Sequence, residues 1–240
     1  MEIIGDFPHL TGYEEDNLID VNQWGDIVWE SFNGSFANWT GTGFSATDTP
    51  DLSQVTDMSS AFASASSFNG DLSNWDVSNV TNMNAMFLQA DVFNGDISTW
   101  VTNNVTDMGF LFAGADAFNA DVSGWNVENV TSMNRMFNLA LDFNRDLSGW
   151  DGGNVTDMFG MLRETSFNQD ISNWDITNVS DMGEMLNGSA LSTQFYDRFL
   201  ISIAGQTVQP NVTLGATDIG HCFGATAIAS LEADNGWTIN

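Results

Sequence analysis

The chain has 240 residues, enough for a sizeable core, and a formal net charge of −28 from 32 acidic residues against four arginines and no lysine. With no basic patch to neutralise phosphates, the composition argues against nucleic-acid binding and against attraction to anionic membrane surfaces. No apolar run reaches the roughly 18 residues of a membrane-spanning helix, and the single cysteine, Cys222, excludes an internal disulfide framework.

Of the acidic residues, 24 are Asp and 8 are Glu. Asp favours turns and helix starts, so the acidity is expected mostly there. The opening Met1-Glu2-Ile3-Ile4-Gly5 has neither a basic n-region nor an apolar h-region. Either a cytosolic protein or a piece of a longer exported chain is consistent with it.

From about Ile19 to Ala46 aromatics are dense (Trp24, Trp29, Phe32, Phe36, Trp39, Phe44) without the register that follows. Residues 1–46 therefore read as an N-terminal cap with a degenerate first coil. Residues 47–190 are an array of about six repeats. Val-Thr-x-Met recurs at Val55, Val80, Val105, Val130 and Val155, with a variant at Val179, at spacings of 25, 25, 25, 25 and 24 residues. One coil is a residue short near Arg163-Glu164-Thr165.

Within a unit, Met83, Met86, Phe87, Ala90 and Phe93 stand three or four apart, which predicts one face of a short helix with Thr81 as its N-cap. Leu72, Trp75, Val77 and Val80 predict a short half-buried strand, with the Trp column (Trp75, Trp100, Trp125, Trp150, Trp174) in the core. One such unit cannot bury its apolar face, whereas stacked units share one core.

Two asparagine columns, one starting at Asn69 and one at Asn79, are expected to point inward and bond the backbone of their own and the next coil. The second column also carries Asn-x-Ser/Thr sequons at Asn79, Asn104, Asn129, Asn154 and Asn178. Glycans stacked at one repeat position would crowd each other, which favours a bacterial source. Residues 191–240 read as a C-terminal cap. It holds a helix bearing Phe195, Phe199, Leu200 and Ile203, a strand over Val208–Leu214, a helix over Ala225–Asn235 stopped by Gly236, and a closing strand in Trp237-Thr238-Ile239.

Several columns are candidates for chemistry. Asp71, Asp96, Asp121, Asp146 and Asp170 recur without interruption. Either each carboxylate accepts turn N–H groups, or adjacent coils share a Ca²⁺ ion. The exposed strand positions bring together Asn74, Asp76, Ser78, Thr99, Asn103, Asn126, Glu128, Asp151, Asn173 and Asp175. For catalysis the inventory is poor: His9 and His221 fall in the caps, and no zinc spacing, phosphate loop or nucleophile elbow is present.

The segment Phe68-Asn69-Gly70-Asp71-Leu72-Ser73-Asn74-Trp75-Asp76-Val77-Ser78-Asn79-Val80-Thr81 resembles the repeat of the BspA-like leucine-rich-repeat proteins of bacterial surfaces. The resemblance covers about Thr47 to Leu186. Thr207–Ala216 and the stretch from Cys222 through Trp237-Thr238-Ile239 resemble that family's closing segment. Local departures are Val101-Thr102, Gly152-Gly153 and the shortened coil.

The resemblance implies an α/β repeat solenoid, leucine-rich-repeat-like and right-handed, with short parallel strands on one face and short helices on the other. It also implies export and display on a cell surface as part of a longer protein, with binding through the outward sheet face. The expected role is non-enzymatic adhesion to a protein or peptide of another cell or host. Calcium-assisted glycan binding and a spacer without a ligand stand as alternatives, and the piece itself is expected to be a monomer.

Overall fold

The structure is a computed structural model and describes residues 20–240. The part of the N-terminal cap before residue 20, including His9, lies outside the described residues. One continuous buried core runs from Trp24 to Trp237.

Between residues 28 and 190 the chain winds in coils of 25 residues laid on one another. The Val-Thr-x-Met period fixes which groups meet. Thr106 N–H donates to the Thr81 carbonyl one coil back (2.8 Å), and Thr131 N–H to that of Thr106 (2.9 Å). The threonine hydroxyls donate to the same carbonyls at 3.1 Å. Thr81 does likewise toward Thr56 (3.1 Å), so this column bridges coils and caps no helix.

The helix expected over Met83–Phe93 is replaced by a chain of tight turns. Met86, Leu88 and Ala90 donate to carbonyls three residues back, at 3.1–3.2 Å, while Met83, Ala85, Phe87 and Gln89 donate to carbonyls of the next coil at 2.8–3.0 Å. An α-helix would send all of these N–H groups to residue i−4 within the segment and leave none for the neighbouring coil. The alternation requires left-handed backbone at Ala85 and Gln89 (φ +55° each), a conformation repeated in every coil, at Phe110 and Gly114 and at Arg135 and Leu139 among others.

The strand expected at Trp75–Val77 is also absent. Leu72–Trp75 and Val77–Val80 are two reverse turns, closed by Trp75 N–H to the Leu72 carbonyl (3.1 Å) and Val80 N–H to the Val77 carbonyl (2.9 Å). Parallel pairing within the coils consists of single bridges, one joining Val28 to Asp51 and the rest in another column, linking Asp57, Asn82, Asp107, Ser132, Asp157 and Asp181 in turn. The surface predicted as a sheet face is therefore a face of turns.

Side-chain columns fill the interior. Phe36, Phe62, Phe87, Phe112 and Phe137 stack at centroid spacings of 5.3 to 5.7 Å. A second file, Phe68, Phe93, Phe118, Phe143 and Phe167, stacks at 5.9 to 6.2 Å. The tryptophans are buried in the core. Each indole from Trp100 onward donates to a carbonyl of the previous coil: Trp100 to Leu72 (3.0 Å), Trp125 to Ile97 (3.1 Å), Trp150 to Val122 (3.1 Å) and Trp174 to Leu147 (2.9 Å).

The C-terminal segment covers the last coil. Helix α1 (Thr193–Ala204) buries Tyr196, Phe199, Leu200 and Ile203. Gln206 then supplies the bonds that a further coil would make, accepting from Ile176 N–H (3.0 Å) and donating to the Trp174 carbonyl (2.9 Å). The expected strand over Val208–Leu214 shrinks to β1 (Thr213–Leu214), because Pro210 lacks an N–H and Asn211 is left-handed at φ +60°. Strand β1 bridges Met182 and so extends the bridge column into the cap. Helix α2 (Ala225–Asn235) ends on left-handed Gly236 (φ +69°), and β2 (Thr238–Ile239) pairs in parallel with β1.

Two stability outcomes follow. Trp125→Phe removes one of the two donors to the buried Ile97 carbonyl, Trp100 N–H at 3.2 Å remaining, and should lower stability by about 1 kcal/mol, read as a lower urea midpoint. Exposed Gln89 occupies left-handed backbone, so Gln89→Gly should raise stability by about 0.5 kcal/mol; a lower midpoint would contradict this account of the turns.

Candidate functional site

The coils carry three corner turns built the same way, except that Val101 interrupts the second corner and Ser132 the third. A carboxylate or amide oxygen accepts the N–H two residues on, which is the Asx-turn habit of Asp and Asn. In the first corner Asp71, Asp96, Asp121, Asp146 and Asp170 accept from Ser73, Ser98, Ser123, Ser148 and Ser172 at 2.8–3.0 Å. In the second, Asp76, Asn126, Asp151 and Asp175 accept from Ser78, Glu128, Gly153 and Thr177 at 2.8–3.2 Å. In the third, Asp57, Asn82, Asp107, Asp157 and Asp181 do the same toward Ser59, Asn84, Gly109, Phe159 and Gly183 at 2.8–3.0 Å.

The bonds act on the charges. The Ser73 hydroxyl and N–H hold the Asp71 carboxyl below its ordinary range, against burial and the neighbouring charge of Asp96. Asp96 is lowered by Ser98 and Asp121 by Ser123 in the same way. Burial works against the charge of Asp170, but Ser172 and the Arg198 guanidinium at 2.7 Å outweigh it. In Asp71, Asp96, Asp121 and Asp170 the turn groups thus favour the ionised carboxylate, and Asp146 accepts the same N–H bond from Ser148. Among the described residues, no group of three His, Cys, Asp or Glu side chains is arranged to hold a metal ion.

The ten residues predicted as a binding face lie on the outer side of the first two corners and are exposed or half-exposed. The structure divides them by duty. Asp76, Asn126, Asp151 and Asp175 hold turns, as above, and the Thr99 hydroxyl donates to the Ser73 carbonyl (2.7 Å). Asn74, Asn103, Glu128 and Asn173 make no side-chain bond to the protein, among the described residues. These four fall in two columns that vary from coil to coil, whereas the turn-holding column varies only between Asp and Asn apart from Val101.

The asparagine columns point along the stack, at exposed positions and not inward. Asn69, Asn94, Asn119 and Asn144 each accept, through Oδ1, the N–H of the next asparagine in the column at 2.8–3.1 Å. The sequon asparagines donate Nδ2 to a carbonyl of the previous coil: Asn79 to Ser53 (3.0 Å), Asn104 to Ser78 (2.7 Å), Asn129 to Asn103 (2.8 Å), Asn154 to Glu128 (2.8 Å) and Asn178 to Gly153 (2.7 Å). The nitrogen a glycan would take is therefore committed to the stack.

Two features escaped the sequence reading. Asp197 is buried on α1, and its carboxylate accepts the N–H groups of Cys222 (3.1 Å), Phe223 (3.0 Å) and Gly224 (2.8 Å) at the entry to α2. Burial opposes its charge, yet these bonds and His221 hold its carboxyl below the ordinary range. An Asp beside the apolar stripe of a helix was the available signal. His221 and Cys222 are exposed and belong to this cap. The second missed feature is Arg135, whose guanidinium stacks on Phe110 and Phe159.

The chain matches the family described as "Mycoplasma protein of unknown function, DUF285" over residues 30–125 and 97–199, and it belongs to that family. No curated protein and no solved structure matches it.

The lowered carboxyls set a pH response. A group whose pKa falls on folding stabilises the fold above its unfolded value, and that stability is lost as the pH drops through the folded value. The urea midpoint should therefore hold above pH 5 and fall from the ordinary Asp value, 3.8, downward. Asp197→Ala should cost roughly 2 kcal/mol and speed amide exchange at Cys222, Phe223 and Gly224. Unchanged exchange there would remove the carboxylate from its role as the α2 cap.

Proposed function

We propose that this chain is a non-enzymatic interaction module of a bacterial cell surface, a BspA-like, leucine-rich-repeat-like solenoid that binds a protein or peptide partner. One observation carries the reading. Stacked coils present the same positions again and again, and the positions without scaffold duty are the ones that vary. Along the exposed strip the columns run Asn74, Thr99, Gly124, Gly149, Asn173 and Ser78, Asn103, Glu128, Gly153, Thr177; within them Thr99, Ser78 and Thr177 bond the scaffold through their hydroxyls, whereas Asn74, Asn103, Glu128 and Asn173 are unengaged. A scaffold needs uniform columns wherever side chains bond between coils. A recognition surface needs differences, because specificity comes from distinct groups at distinct places.

The division of duty also decides which residues to alter. Replacing Asp76, Asn126 or Asp151 would open an Asx turn and confuse stability with binding. Asn74, Asn103, Glu128 and Asn173 can change without that cost. Random peptides displayed on phage would be selected on the wild type. The quadruple variant Asn74→Ala, Asn103→Ala, Glu128→Ala, Asn173→Ala should lose the enriched binders by at least about tenfold, with its melting temperature close to unchanged. Retained binding of every enriched peptide by the quadruple variant would refute this face as the binding surface. The spacer reading predicts no enrichment at all.

A further inference from the structure

The outer face of the tight-turn segments carries an arrangement that the scaffold does not require. In each coil a left-handed residue recurs at 60, 85, 110, 135, 160 and 184. Four of these are Ser60, Ala85, Gly160 and Glu184, but 110 and 135 are Phe and Arg, at φ +55° and +50°. The left-handed backbone belongs to the turn pattern of every coil, so what sets these two positions apart is the large side chains they carry.

The two side chains meet a third. The Arg135 guanidinium lies over the Phe110 ring at 5.5 Å and over the Phe159 ring at 4.6 Å, one aromatic on the coil before and one on the coil after. Neighbouring glycines make the room. A Cβ on Gly183 would come within 2.9 Å of the Phe159 ring, and one on Gly160 within 3.3 Å of Arg135 Cγ.

The other arginines are occupied. Arg163 faces Glu184 (3.5 Å) and Glu164 (3.8 Å), Arg198 pairs with Asp170 (2.7 Å), and Arg145 donates to the Asn119 carbonyl (2.5 Å). In a chain with 32 acidic residues, the Arg135 side chain makes no hydrogen bond or ion pair among the described residues. The guanidinium lies against a ring from each neighbouring coil, and its N–H edge meets no protein acceptor among the described residues. That edge is a planar fork matched to a carboxylate.

We propose that Phe110, Arg135 and Phe159 form a recognition site for a side-chain carboxylate carried by an extended, otherwise apolar segment of a protein partner. Leu139, four residues after Arg135 on the same turn segment, is 41% exposed. The net charge of −28 repels anions at long range. That repulsion is screened beyond about 8 Å at physiological salt, so a segment with one carboxylate is favoured over a polyanion. This site is distinct from the strip of Asn74 and Glu128, and it stands or falls separately.

Three acetylated tripeptides test it against the whole chain by calorimetry and by the Arg135 Nε–H resonance. They are Phe-Glu-Leu amide, Phe-Gln-Leu with a free terminal carboxylate, and Phe-Gln-Leu amide. The Glu peptide should bind saturably and shift the Arg135 signal, and the neutral peptide should do neither. Arg135→Lys should weaken the Glu peptide by about tenfold. Phe110→Gly relieves left-handed strain, so it should leave the melting temperature close to unchanged or higher while still weakening binding. A merely structural ladder would show no such split. Binding of the neutral peptide as tightly as the Glu peptide, binding of the free-terminus peptide alone, or no saturable shift with any peptide would each overturn the assignment.

Discussion

The structure depends on one constraint: every coil must hand half of its corner N–H groups to its neighbour. In the Met83–Ala90 segment the groups alternate, one turning back three residues and the next crossing to the following coil. That alternation cannot be made from right-handed residues alone, which is why left-handed backbone recurs at the same two positions in coil after coil. A buried backbone group left unpaired costs as much as a lost hydrogen bond. The period of 25 is therefore enforced by the backbone as much as by the side chains. Where one residue is missing, at 163–165, Ser166 N–H still finds the Leu141 carbonyl at 3.1 Å. The register is restored within the same coil.

Side chains stabilise this winding in two currencies. The Phe and Met files supply apolar burial, repeated identically so that each ring meets its own kind. The Trp, Thr and Asn columns supply directional bonds, each ending on a carbonyl or N–H of an adjacent coil. Neither would suffice alone. Stacked rings can slide along the axis, and the indole bond at each step fixes the offset. At the C-terminal end the same demands persist with no further coil to meet them. Gln206, Ser202 and Gln209 bond the carbonyls or N–H of Trp174, Ile176, Ser172 and Thr177 instead.

The repeat period, the buried Trp column and the backbone-bonding Asn columns were legible in the sequence, because each shows as a residue type at a fixed interval. Local conformation was not. Apolar residues three and four apart, as in Met83, Met86, Phe87 and Ala90, suit a helix, but they equally suit consecutive turns closed by i−3 bonds. Only the left-handed residues separate the two, and Ala85 and Gln89 carry no glycine to announce them. The alternation at Trp75 and Val77 failed in the same way, since paired reverse turns also bury every second residue. The polar face was identified by position. Its division into turn-holding and unengaged side chains depends on a single bond per residue, which type alone does not reveal: Asp76 holds a turn and Asn74 does not.

That division bears on how such a surface can change. An Asx corner accepts Asp or Asn, and the third column uses both, with Ser132 as a long-range substitute at 3.5 Å from Asn134 N–H. Charge at the corners can therefore be exchanged for neutral amide without loss of the turn. Adjacent carboxylates about 5 Å apart repel by about 0.8 kcal/mol in water, and the third column breaks its run at Asn82 and Ser132 whereas the first does not. The first column instead relies on serine N–H groups in every coil, joined by the serine hydroxyl at Asp71, Asp96, Asp121 and Asp170. Its uniform Asp-x-Ser pattern then answers an unbroken run of charge, and the neighbouring columns, where such runs are no longer than two coils, are where side chains can differ without unwinding the stack.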